Sequence, residues 1–271
     1  MSRVRRPKIF TAIFLTLIFT LDVAAQDAGK FVYRVLPNNA FKVGERLKYS
    51  LKYGLVKAAN TEIAVVKETT MRGEPVYHIE YTANTVPIFD NFFKVDDRYD
   101  SYLHRNALCP LYFKQRIREG KFSKDEEIEF FHELSKANSV TAKKEFPIDV
   151  YAQDILSAYF YVRTLDLKSL KKDDVIPLKQ ISDEKVFPLD IKIRYRDVLE
   201  TEIGTFKTVV VEPIVQGTGL FKSEGRILIW MTDDDNKIPL KIAIKVAVGS
   251  ITAEISSMEG IRNPLTAKLE E

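Results

Sequence analysis

Between residues 41 and 54 the chain reads FKVGERLKYSLKYG, and Leu47, Tyr49, Leu51 and Tyr53 alternate with Lys48, Ser50 and Lys52. A period of two marks a strand with one buried and one wet face. The pattern resumes over 61–67. After the turn signal Arg72-Gly73-Glu74-Pro75, Tyr77, Ile79, Tyr81 and Ala83 form one face of a third strand. In FFKVDDRYDSYLH, Phe93, Val95, Asp97, Tyr99, Ser101 and Leu103 share a face, whereas Lys94, Asp96, Arg98, Asp100 and Tyr102 share the other, so Asp97 falls on the apolar side. Residues 111–118 and 127–133 read as two more strands joined through Glu119-Gly120. The period changes once: in QDILSAYFYVRTLDL, Ile155, Tyr159 and Val162 recur at i, i+4 and i+7, which predicts one helix over about residues 150–164. Strand patterning returns over 186–196, 205–215 and 225–231. It is clearest where Leu240, Ile242, Ile244, Val246 and Val248 alternate with Lys241, Ala243, Lys245 and Ala247. Gly249 offers a bend before Ile251, Ala253 and Ile255 continue.

About a dozen strands around one helix, with no βα alternation and no internal repeat, exclude a doubly wound sheet or a TIM barrel. The expected fold is mainly β: a large curved antiparallel sheet or open barrel, with the helix packed on it or plugging its mouth. The chain of 271 residues divides into a signal peptide (1–25), a flexible leader (26–40), a single β-rich domain (41–262) and a disordered tail (263–271).

The formal charge of +3 belongs to the first of these segments. Arg3, Arg5, Arg6 and Lys8 precede an uncharged run over 9–21, and Val23-Ala24-Ala25 closes it, the layout of a cleavable export signal. Its removal takes away those four bases and Asp22, leaving 37 basic and 37 acidic residues. A neutral remainder argues against a nucleic-acid binder, which relies on clustered Lys and Arg. No later apolar run approaches the roughly 18 to 20 residues that span a bilayer. Cys109, the only cysteine, excludes an internal disulfide, and Gln26 stands where a lipoprotein needs cysteine. The expected location is the periplasm, without a lipid anchor or a transmembrane anchor after cleavage. Cys109, between Leu108 and Pro110, reads as a small packed hydrophobe.

Candidate chemistry is sparse. His78, His104 and His132 fall on different predicted strands, so no metal site is expected. Asp233-Asp234-Asp235-Asn236 lacks the Gly and distal Glu of a calcium loop and reads as a solvated turn. No nucleophile elbow, phosphate loop, zinc helix or Cys-x-x-Cys pair occurs, and no cofactor is expected. The notable polar group is Asp96-Asp97-Arg98 with Asp100, because a carboxylate on a core face needs a cation or several donors. Asp154 and Arg163 on the helix are further members of such a network, structural or functional. The 17 Phe and 12 Tyr fill a core or line an apolar pocket.

Taken in order, VGERLKYSLKYG, VDDRYDSYLH with LCPLYF behind it, QDILSAYFYVRTL and GRILIWMTDDDNKIPLKIAIKVAVGSITAEI resemble the bacterial envelope family catalogued as domain of unknown function 3108. The resemblance covers roughly residues 41–260. Its matching positions are Gly44, Glu45, Tyr49, Asp97, Arg98, Asp154, Arg163, Trp230, Asp234, Asp235, Pro239 and Gly249. The chain departs from the family at Val56-Lys57-Ala58-Ala59-Asn60, where members often carry an Ala-Gly step. The resemblance implies a signal-peptide-bearing, β-rich periplasmic protein and transfers no catalytic residues.

The leading expectation is a non-enzymatic periplasmic binder of an apolar or lipid-like ligand, or of a hydrophobic client, in envelope maintenance. A second is a hydrolase or lyase with Asp97 or Asp154 as base and Arg98 or Arg163 stabilising charge. A third is an interaction module docking on an outer-membrane partner through a sheet edge.

Overall fold

The computed structural model describes residues 31–89, 93–215, 226–245 and 249–270; residues 33 to 271 form one compact unit. The export signal expected over 1–25 lies outside the described residues, as do Val246 and Val248.

The chain runs through β1 (Arg46–Tyr53), β2 (Val56–Met71), β3 (Glu74–Thr85), β4 (Asp96–His104), β5 (Pro110–Glu119), β6 (Phe122–Phe131), β7 (Lys136–Ser139) and β8 (Lys144–Pro147). After α1 (Ile155–Arg163) come β9 (Val175–Ser182), β10 (Lys185–Thr201), β11 (Gly204–Val215), β12 (Ile227–Thr232), β13 (Pro239–Lys245) and β14 (Ser250–Glu259). These strands form one 14-stranded antiparallel sheet of two meanders, β1–β8 and β14–β9, joined by the β1–β14 pair. The sheet does not close, because β8 and β9 remain unpaired with each other. Gln153 partly fills the gap by bridging Gln180 of β9 in parallel, its N–H on Lys179 O and its carbonyl receiving Ile181 N–H, both at 2.8 Å. Strands β7, β8 and β9 carry weak alternation, so the sequence pattern does not mark them.

Register assigns the faces. Leu51, Ala253, Ile242, Ile229 and Val211 stand opposite one another across five strands, and this row is the concave face. The helix lies against that face and is buried on both flanks. Leu156 and Phe160 join a cluster with Phe41, Leu47, Ile79, Leu103 and Phe130, whereas Ala158 and Val162 join one with Leu189, Ile193, Val209 and Met231. The distal half of the β10–β11 hairpin folds back over the convex face of β12–β14. There Trp230 Nε1 donates to Asp197 at 3.1 Å, and Lys52 pairs with both Glu202 and Glu254.

Three sequence expectations require correction. The helix does not open near residue 150 but at Ile155, because Asp154 caps it: its Oδ1 receives the N–H groups of Leu156 (2.7 Å) and Ser157 (2.8 Å), while Ser157 Oγ receives Asp154 N–H. This reciprocal capping box satisfies the orphan donors of the first turn and ends the extended segment before it. The leader is not flexible from Tyr33 onward. Leu36 N–H reaches Asn106 O at 2.9 Å, Arg34 Nε reaches Ala107 O at 3.0 Å, and the Arg34 guanidinium lies 4.0 Å from the Tyr151 ring centroid. Nor is the tail frayed after Asn263. Lys207 N–H bonds Ala267 O and Leu269 N–H bonds Thr205 O, each at 2.8 Å, so the tail adds a strand-like edge and buries Ala267. Polarity made both segments look unstructured, but their backbone groups have specific partners.

Candidate functional site

The four polar candidates do not converge. Asp97, on the concave face of β4, is buried as the alternation required; it accepts Arg118 N–H at 2.8 Å and hydrogen-bonds Glu119. Burial raises its pKa against the lowering effect of both hydrogen bonds. Arg98, one residue on, points to the convex face and grips Asp100 and Glu80. Asp154 is spent on the helix cap and on Ser101 Oγ, 2.7 Å away. Burial pushes its pKa up to about 6, against the lowering pull of its donors. Arg163 lies fully buried at the far end of the helix. Acid–base chemistry by this quartet needs one shared pocket, and the groups occupy four separate surroundings.

Arg163 instead assembles several of the family-like positions. Its two terminal nitrogens meet the Glu45 carboxylate at 2.5 and 2.9 Å, Nε donates to Asn236 O at 3.0 Å, and Nη2 donates to Ala40 O at 3.3 Å. Tyr159, hydrogen-bonded to Tyr49, stands beside it; desolvation raises the Tyr159 pKa to about 12. Asp234 holds the turn that presents Asn236. Its Oδ1 accepts from Thr232 Oγ1 (2.8 Å), Asn236 N (3.0 Å) and Lys237 N (3.3 Å). Asp234 is only 1% exposed, which overturns the expected solvated turn; Asp235 alone fits that reading, exposed and paired with Lys168. Gly44 precedes Glu45 at a φ of +91°, and its N–H bonds Val65 O. Pro239 opens β13 opposite Met231 at a bulge, Gly249 precedes β14 at a φ of +83°, and Trp230 lies on the convex face with Lys241 Nζ 5.6 Å from its ring. Family-like positions are thus mostly fastenings. Asn236, which links Arg163 to the tail through Asn263 and Pro264, carries no sequence signal beyond its place in a polar turn.

The helix fills only the half of the concavity near Glu45. Toward the opposite end, where the hairpin tips at Gly54-Leu55 and Gly120-Lys121 lie, the concave wall continues without it. On that wall Leu51, Ile227, Ile242, Ile244 and Ile251 remain partly exposed despite facing inward. Tyr81 and Tyr99, ring centroids 5.2 Å apart, face inward on β3 and β4. Polar groups share this region: Gln115 Nε2 donates to Glu126 at 2.5 Å, and Lys124 bridges Glu126 (3.3 Å) and Asp183 (2.7 Å). Burial raises the Glu126 pKa, offset in part by Lys124. The result is an apolar trough with a few hydrogen-bonding groups at one side, the composition of a small-ligand site.

The convex face of β3–β5 carries a second concavity of about 440 Å³, lined by His78, Asp100, Tyr102, Tyr112 and neighbouring bases. His78 Nε2 meets Asp100 at 2.8 Å and its ring stacks on Tyr102. Burial raises Asp100, but bonds from His78 and Arg98 outweigh it and hold the carboxyl at about 2. His78, Glu80 and Asp100 bring ligand atoms within 4.8 Å of one another, yet Arg98 already supplies both carboxylates with positive charge. His132 Nε2 donates to Pro110 O while its Nδ1 accepts Tyr151 N–H, and burial lowers its pKa to about 4; burial also pushes the Cys109 thiol up, as expected for a packed cysteine.

No helix among the described residues is long and apolar enough to cross a membrane. No curated protein matches the sequence. Among solved structures, a β-barrel-like protein of domain of unknown function DUF1849 from Brucella abortus is similar with a TM-score of 0.50 at 9% identity, covering 84% of this chain and 99% of that one. A candidate lipoprotein from Parabacteroides distasonis is similar with a TM-score of 0.35 at 11% identity, over 84% of this chain and 100% of that one. At such identities the likeness concerns the fold alone. The family model described as protein of unknown function DUF3108 matches residues 48–256, from β1 through the helix to β14, and the chain belongs to that family.

Proposed function

We propose that this protein is exported to the bacterial periplasm and holds an apolar, chain-like ligand in its trough, without catalysis. The observation that carries the reading is the contrast along the concave face. Around the helix, apolar side chains are sealed; beyond it, Leu51, Ile227, Ile242, Ile244 and Ile251 keep partial contact with solvent. Exposed apolar surface on an inward face is costly, at about 25 cal/mol per Å², unless something covers it. The basic start, the uncharged run over 9–21 and the small residues at 23–25 support export, and Gln26 supports a form without a lipid anchor. The carboxyl groups of Asp97 and Glu126, raised by burial, favour a ligand head that donates hydrogen bonds over one that carries a carboxylate.

Native mass spectrometry of protein purified from its own periplasm should show an added mass that organic solvent extracts. A fluorescent fatty-alcohol probe should bind the extracted protein, and Ile244→Glu, a change on the trough wall, should weaken uptake. A clean unliganded mass together with no probe uptake would sink the reading.

A further inference from the structure

We propose that the end of the sheet opposite Glu45 carries a docking rim for an anionic phospholipid bilayer. Three successive connections meet there: the β1–β2 turn, the β3–β4 loop and the β5–β6 turn. Neighbouring connections are two strands apart, about 10 Å at a spacing of about 4.8 Å per strand. Each presents apolar side chains to solvent rather than to the core. Leu55 is 98% exposed with Val56 beside it, Ile88 is 74% exposed on the loop that also carries Phe93, and Phe122 opens the third hairpin, also exposed. Tight turns are ordinarily polar, so aliphatic and aromatic tips on all three connections are unusual.

The tips form one surface. Val86 N–H bonds Ala58 O at 2.9 Å, tying the second connection to the first, and Gly120 N–H bonds Lys94 O at 2.8 Å, tying the third to the second. Phe93 lies over the third turn so closely that a Cβ on Gly120 would stand 2.7 Å from its ring, at a φ of +55° that already favours glycine.

The charge pattern selects the occupant. Lys57, Lys94 and Lys121 flank the three tips, are exposed and form no ion pair among the described residues. Among the described acids nearby, Asp96 is paired with Arg116, Asp125 with Arg118 and Asp183 with Lys124. Aliphatic tips ringed by free lysines match a membrane interface, where side chains enter the acyl boundary and bases meet anionic head groups. A soluble protein partner would need opposing acids and a continuous apolar face, and becomes an outcome of the test. The inference goes beyond the ligand reading and does not depend on it, although a rim at this end of the trough would place a bound chain next to the bilayer.

The test is co-sedimentation of the protein, as purified from its own cells, with phosphatidylcholine vesicles with and without phosphatidylglycerol. Wild type should sediment with the anionic vesicles and weaken in high salt. L55S/I88S should lower partition by about tenfold or more, and K57Q/K94Q/K121Q should abolish the preference for phosphatidylglycerol. Both variants alter exposed residues, so their melting temperatures and probe uptake should match wild type. No sedimentation of wild type, or equal sedimentation of all three proteins, overturns the rim. Capture of a stoichiometric protein in place of vesicle binding overturns it in favour of a protein interface. Loss of probe uptake in Ile244→Glu with unchanged vesicle binding separates the two readings.

Discussion

Arg163 at the end of the only α-helix among the described residues grips Glu45 just before β1, with both carboxylate oxygens engaged across 118 positions of sequence and neither side chain in contact with water. The pair fastens the helix to the first strand, and through Asn236 O it also holds the β12–β13 turn.

Removing one partner leaves an uncompensated buried charge, so Arg163→Met should destabilise by about 3 to 5 kcal/mol. Glu45→Leu combined with Arg163→Met should recover most of that loss, since two apolar groups need no partner. Urea unfolding of the two single variants and the double variant measures the coupling; additive losses would show that the pair is not the link.

Asp234 supplies three short acceptor contacts inside a buried turn. Asp234→Ala should therefore cost about 1 to 3 kcal/mol by orphaning the N–H groups of Asn236 and Lys237. Asp235→Ala, one residue away and exposed, should cost about 0.5 kcal/mol or less. Equal midpoints for the two variants would refute the assignment.

Asp97→Asn keeps an acceptor for Arg118 N–H and gains a donor toward Glu119, so it should shift stability by about 0.5 kcal/mol or less. Asp97→Leu strands the Arg118 N–H and should cost about 1 to 3 kcal/mol. Thermal melts of both variants at neutral pH distinguish hydrogen bonding from charge as the requirement at this position.

Asp154 titrates near 6 in the fold and at 3.8 when free, so its ionised form is disfavoured in the native state by about 3 kcal/mol. The folded state binds the extra proton. The stability tied to this group is therefore full below pH 3.8 and is lost as pH rises through about 6. His132 works in the opposite sense: it titrates near 4 in the fold and 6.5 when free, so its contribution is present above 6.5 and lost toward 4. Comparing wild type with Asp154→Asn at each pH cancels the His132 contribution, and asparagine still caps the helix. Wild type should lose melting temperature relative to the variant between pH 4 and 7; parallel curves would mean that the carboxyl titrates normally.

The strand faces were legible because alternation is a one-dimensional record of burial: Leu47 and Tyr49, Ile79 and Asp97 all lie on the side that the pattern assigned. The site was less legible for a geometric reason. Asp97, Arg98, Asp154 and Arg163 share chemistry, but Arg98 projects from the opposite face to Asp97, and the helix separates Asp154 from Arg163 by its own length. The burial of Asp234 leaves no trace in the sequence, because composition does not tell a solvated turn from one whose carboxylate folds inward onto its own backbone. Glu45 was recognised only by resemblance; nothing in its neighbours indicates a buried charge.

The chain by itself determined its class: period-two alternation broken by one helical stretch leaves a β sheet with one helix as the way to bury these apolar residues. Local signals also placed the turns, since Gly and Asp occur where the backbone must reverse. Tertiary structure decided which charges meet, how far the helix fills the concavity, and that three apolar hairpin tips share one end. Those relations depend on register and curvature across fourteen strands, and each strand's sequence specifies its own faces without specifying what lies across the sheet.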